Sequence, residues 1–193
     1  MRPTLRALEK NILKYRALQM VLLLHQVESL RAFIVGSIRS TDRLALSMKA
    51  GVERLPDGVK KPMEKALALL VQEGILTEKE SKDLQSIIRL RNKVGHTIHE
   101  LVADVSAPRL LGRRDPVYDY YALERFERYR KNIESGMAKS FVLQLGFREL
   151  SFEQAEATYK EELSRLHRRI NRQYLARRAS TASLSRNTTQ VTD

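Results

Sequence analysis

Cysteine and tryptophan are both absent from this chain of 193 residues. Without a thiol there is no disulfide, no thiolate nucleophile and no cysteine-ligated zinc, and a cytoplasmic setting is the expected one. Long apolar runs are missing too. Stretches such as Met20 to Leu24 fall far short of the roughly 20 residues that span a bilayer, so no membrane partner is expected. The opening MRPTLRALEK leads straight into a charged amphipathic pattern, unlike a cleaved signal peptide. No glycine-rich phosphate loop, Ser-His-Asp order or paired-carboxylate site stands out. His96 and His99 lie three residues apart and face one side, but no third ligand stands near them, so neither a metal nor another cofactor is expected. His25 and His167 are isolated and read as structural or exposed.

What is present in excess is positive charge. Lysine and arginine number 35 against 23 acidic residues, for a net charge of +12. A surplus of that size favours an anionic partner, most economically nucleic acid. Hydrophobic residues make up 42% of the chain, enough for one domain with a sizeable core. They recur mostly at helical spacing, which predicts an all-α fold.

Leu5, Leu8, Ile12 and Tyr15 follow one another at three- and four-residue steps after Thr4, a candidate N-cap, and the pattern runs on through Ile34. Gly36 and the SIRSTDR segment predict a break, with a second helix over 41–55 ending at the turn Pro56-Asp57-Gly58. A further helix over 60–73 turns Met63, Leu67, Leu70 and Val71 inward. Gly74 can cap it, and Thr77 with Glu80 forms a capping box that opens the next helix, so the two make an antiparallel pair. SAPRLLGRRDP reads as a basic loop carrying Arg113 and Arg114. An aromatic stripe, Tyr118, Tyr121, Phe126, Tyr129 and Phe141 among it, predicts a long core helix over 117–147. The remaining organisation is a basic helix over 151–179, following a bundle over 1–150, and a tail over 180–193 of low apolar content that should be disordered. The basic helix holds six arginines and no acid between Arg165 and Arg178. Arg168, Arg169 and Arg172 are its candidate phosphate contacts.

The stretch Leu84 to Val105 is the most informative. Read as one helix, it gathers Ile87, Ile88, Val94, Ile98, Leu101, Val102 and Val105 into an apolar stripe with Arg91 near its middle. A guanidinium there keeps its charge and must be paired, hydrogen-bonded or open to a cavity. Glu28, Glu64 and Glu73 on neighbouring helices are candidate partners. Asn92, His96, His99, Gln85 and Arg89 line one edge of the stripe.

Arg91-Asn92-Lys93-Val94-Gly95-His96 resembles the R-N-x-x-x-H signature of the HEPN superfamily (higher eukaryotes and prokaryotes nucleotide-binding domains). The helix and short turn before it match the family's layout, and the resemblance covers about Leu5 to Phe147. It implies an all-α, HEPN-like bundle of five to six helices, with the last helix and tail as additions. Many HEPN proteins are metal-independent ribonucleases, several of them toxins or phage-defence effectors, with a site shared across a homodimer. The resemblance then implies that His96 works as general base or acid on the ribose 2′-hydroxyl. Arg91 holds the scissile phosphate and Asn92 orients either group. Arg89, Lys93 and His99 join the arginines above as candidate RNA contacts. Arg91 and His96 stand about 140° apart on the wheel, so a twofold pairing of helices would bring the Arg of one near the His of the other. The alternative is a HEPN-fold protein without catalysis, similar to the mannitol operon repressor, contacting nucleic acid or a protein partner such as an antitoxin.

Overall fold

A computed structural model describes residues 6–96, 105, 118–143 and 147–189, the side chains of 93–96, 147–151, 153, 178 and 180–189 excepted. Among the described residues all regular structure is helical: α1 (Ala7–Ser47), α2 (Pro62–Gln72), α3 (Glu78–His96), α4 (Ala122–Met137) and α5 (Phe147–Thr189).

α1 is the mast of the bundle, and α2, α3, α4 and α5 all pack against it. Leu23, Val27, Leu30, Ile34 and Ile38 on α1 meet Leu67 and Leu70 of α2, Leu84 and Ile87 of α3, and Phe126, Ile133 and Met137 of α4 in the main core. A smaller cluster of Leu22, Leu123 and Leu163 seats α5. α5 runs antiparallel to α1: Glu156 accepts a hydrogen bond from Gln26, and Gln173 accepts one from Asn11. α1 contains a window of mean hydropathy 1.4, long and apolar enough to cross a membrane by length and composition. Half of that window is buried inside the bundle, as suits a core helix.

The expected break at Gly36 is not there; α1 runs unbroken to Ser47. The polar residues that predicted a break serve tertiary contacts instead. Ser37 and Asp42 are buried, and Asp42 accepts the backbone N–H groups of Arg54 and Leu55 at 2.8 and 3.1 Å. The segment 48–61 is therefore an irregular strap tied back to α1, not the end of a second helix. Gly58 sits at φ +77° in the expected turn.

The α2–α3 pair matches its local signals closely. Gly74 takes φ +69°, its N–H reaches the Val71 carbonyl, and the Ile75 N–H reaches that of Leu70. This is a Schellman closure, in which a left-handed residue lets two orphan carbonyls be satisfied. The box at Thr77 is formed in both directions: the Thr77 N–H donates to Glu80 at 2.9 Å and the Glu80 N–H to the Thr77 hydroxyl at 3.2 Å.

Three expected helix bounds change. Val105 stands in a turn, so the helix with Arg91 does not extend through it; 97–104 lie outside the described residues. α4 covers Ala122–Met137 and not 117–147. Its aromatic stripe is core as expected at Tyr118, Phe126, Tyr129 and Phe141, whereas Tyr121 is exposed at the helix start. α5 begins at Phe147, within the segment assigned to the bundle, and continues to Thr189 through the part of the tail expected to be disordered. Extending an existing helix adds one hydrogen bond per residue ordered, without a new nucleus.

α3 and α4 are joined by charge as well as packing. Arg125 donates to Asp83 at 2.8 Å and to Asp119 at 2.8 Å, and Tyr129 donates to Asp83 at 2.8 Å. Burial raises the Asp83 carboxyl, but the hydrogen bonds from Arg125 and Tyr129 outweigh it and hold Asp83 below the usual range. A lowered folded value means stability that is complete above the unfolded pKa and lost as pH falls through the folded one. Asp83→Asn should therefore cost about 1–2 kcal/mol at pH 7. Its deficit against the parent should shrink below about pH 4, as urea unfolding at both pH values would read. At the end of α4, a Cβ on Gly136 would stand 2.6 Å from Ile75 Cγ2 and 3.3 Å from its Cβ. Ile75 is β-branched and stiff. Gly136→Ala should lower stability by about 1–3 kcal/mol despite its better helix propensity.

Candidate functional site

Arg91 comes to lie where α1, α2 and α3 meet. The cleft there has a volume of about 240 Å³ and a floor that includes Val27, Met63, Leu67 and Ile88. Its rim carries Glu28, Arg31, Lys61, Glu64, Arg89, Arg91 and Asn92. The Arg91 side chain is 23% exposed and its Nη2 meets Glu28 Oε1 at 2.6 Å. Its Nη1 donates to the Asn92 side-chain oxygen at 2.8 Å. The buried Nε has no hydrogen-bond partner. Of the three carboxylates that could have matched Arg91, Glu28 does so; Glu64 pairs with Lys61 and Glu73 with Arg54.

Glu28 is half-exposed and also lies 3.8 Å from Arg31. One carboxylate thus stands between two guanidinium groups. Arg89 is exposed on the same rim, and no acidic partner is found for it among the described residues. Lys61 is held in the left-handed region, φ +57°, ahead of Pro62, the first residue of α2. Side-by-side placement of Arg91 and Asn92 was legible in the sequence. The contributions of Arg31 and Lys61 were not, because they come from α1 and from the strap ahead of α2 and obey no local period.

His96 closes α3, and the side chains of Lys93 and His96 lie outside the described residues, as do His99, Arg113 and Arg114. Arg168, Arg169 and Arg172 line an open basic face on α5 with Arg165 and Asn171. Arg165 is engaged by Glu161 at 2.6 Å; among the described residues the other three have no acidic partner. The structure does not bring this face to the cleft. His167 packs beside Tyr15 on α1, and Tyr15 lies about 20 Å along the helix from Glu28 at 1.5 Å per residue. His25, expected to be structural or exposed, stacks on Phe152 between α1 and α5.

The arrangement can do two things chemically. It can hold an anion against Arg91, Arg31 and Arg89, and it can tie α3 to α1 through the ion pair. The second has a measurable worth. In a cycle of Arg91→Gln, Glu28→Gln and the double variant, urea unfolding should give a coupling of up to about 1 kcal/mol, the scale of a partly exposed pair. A coupling near zero would mean that the pair contributes nothing to the fold. No family model matches this chain, and no curated protein or solved structure matches it.

Proposed function

We propose that this chain is a metal-independent endoribonuclease of HEPN type, a toxin or phage-defence effector working as a homodimer, with Arg91, Asn92 and His96 as its reacting set. The observation that carries the reading is the guanidinium of Arg91, fixed by Asn92 at the mouth of a cleft with a basic rim and left with an unmatched Nε. Arg91 is suited to hold a phosphodiester and to stabilise the charge that builds on it. His96 would take the proton of the ribose 2′-hydroxyl. The 2′-oxygen then attacks the adjacent phosphorus, and the 5′-oxygen leaves with a proton, giving a cyclic phosphate and a free 5′-hydroxyl. The second copy supplies the histidine that one helix cannot aim alongside its own arginine. The arginines of α5 add sequence-independent attraction to the polymer.

A second reading is favoured by the ion pair between Arg91 and Glu28 within one subunit. If that pair is purely structural, the chain is a non-catalytic HEPN-fold protein that binds nucleic acid or a regulatory partner such as an antitoxin.

The deciding measurement is cleavage of single-stranded RNA in the presence of chelator. The parent should cut, and His96→Ala should lose at least about a hundredfold in rate, the usual worth of a general base, while remaining a folded dimer by sedimentation. If parent and variant are equally inert, the second reading stands.

A further inference from the structure

Glu28 occupies the place an anionic ligand would take. Its two oxygens face two arginines, Nη2 of Arg91 at 2.6 Å and Nη1 of Arg31 at 3.8 Å. A phosphodiester also presents two anionic oxygens, and arginine forks grip both groups alike. The pairing is incomplete on the protein's side. The 3.8 Å contact to Arg31 is too long for a hydrogen bond, Arg91 Nε is unmatched, and Glu28 is itself half-exposed. Among the described residues, the partners of this carboxylate are these two arginines alone. Its helix neighbour one turn on, Ala32, is small and exposed, which leaves the side chain room to swing outward.

We infer that Glu28 is a built-in competitor for the anion site of the cleft, which RNA phosphate must displace from Arg91 before it can bind. This rests on the reading that the cleft takes RNA, and adds a gate to it. In the closed state the carboxylate neutralises Arg91 and keeps small anions off it. A polymer overcomes the gate because its neighbouring phosphates also engage Arg31, Arg89 and Lys61, and several contacts together outweigh one internal pair. The carboxylate is then a positioning and gating residue, not a reacting one.

The test is equilibrium binding of a short, labelled single-stranded RNA by fluorescence anisotropy, with inorganic phosphate as a separate probe, to full-length parent, Glu28→Gln, Arg91→Gln and the double variant. Glu28→Gln keeps the shape and removes the competing charge. It should bind the RNA at least about fivefold more tightly, the effect of one like charge at roughly 4 Å in water. That gain should vanish when Arg91 is also changed, which a diffuse change of net charge would not do. Should Glu28→Gln fail to fold, Glu28→Asp serves instead, since it keeps the charge but withdraws it from Arg91, and a smaller gain is expected. RNA binding that depends on Arg91 but is unchanged by either Glu28 variant would overturn the gate and leave the proposed function standing. A gain that persists in the double variant would overturn the gate as well. Absence of RNA binding by every folded variant would overturn both. Tight inorganic phosphate binding by Glu28→Gln without RNA binding would overturn RNA as the ligand.

Discussion

A guanidinium cannot give up its proton, so any fold that places one at a helix junction must supply a counter-charge or an opening to water. That constraint governs how α1, α2 and α3 meet. The bundle solves it fully elsewhere. Arg125 is held between Asp83 and Asp119, and Arg54 between Asp42 and Glu73; both serve to fasten one element to the next. Arg91 receives one half-exposed carboxylate and a neighbouring amide. The contrast within one molecule separates a cation saturated by its own chain from one left partly matched beside a cavity.

The parts of the fold legible in the sequence are those whose cause is local. The Gly74 closure and the Thr77–Glu80 box depend on residues a few positions apart, and both formed as the spacing required. The continuity of α1 was not legible. Gly36, Ser37, Thr41 and Asp42 look like the polar punctuation of a turn, and only the return of 54–55 onto Asp42 explains why they stay helical. The end of α4 misled for the opposite reason. The turn after Met137 keeps Phe141 in the core, where the Arg54 guanidinium lies 5.1 Å from its ring centre. The hydrophobic period therefore outlasts the helix that carries it.

The candidate site divides in the same way. An arginine in an apolar stripe announces itself on a helical wheel, and the wheel also sets Asn92 beside it. Its partner cannot be read that way, because Glu28 is 63 positions distant and three carboxylates were equally available to the pattern. Competing ion pairs decide among them. Glu73 is drawn to the strap by Arg54 and Glu64 to the start of α2 by Lys61, which leaves α1 to supply the charge.

Where the surplus of positive charge is exposed depends on such pairing. Cations that meet acids in the strap and at the α3–α4 joint cancel within the molecule and add little to its outer field. Among the cations with no acidic partner in the described residues, Arg89 on the cleft rim and Arg168, Arg169 and Arg172 on α5 stand at separate places along α1. In the proposed function an anionic polymer would be attracted first by the exposed α5 face, whose pull is screened within about 8 Å at physiological salt. The cleft would act at shorter range, where the partly buried Arg91 guanidinium could discriminate by shape. Two faces about 20 Å apart along α1 would thus divide attraction from positioning, and under the proposed gate the Glu28 carboxylate would keep the second from responding to every anion the first collects.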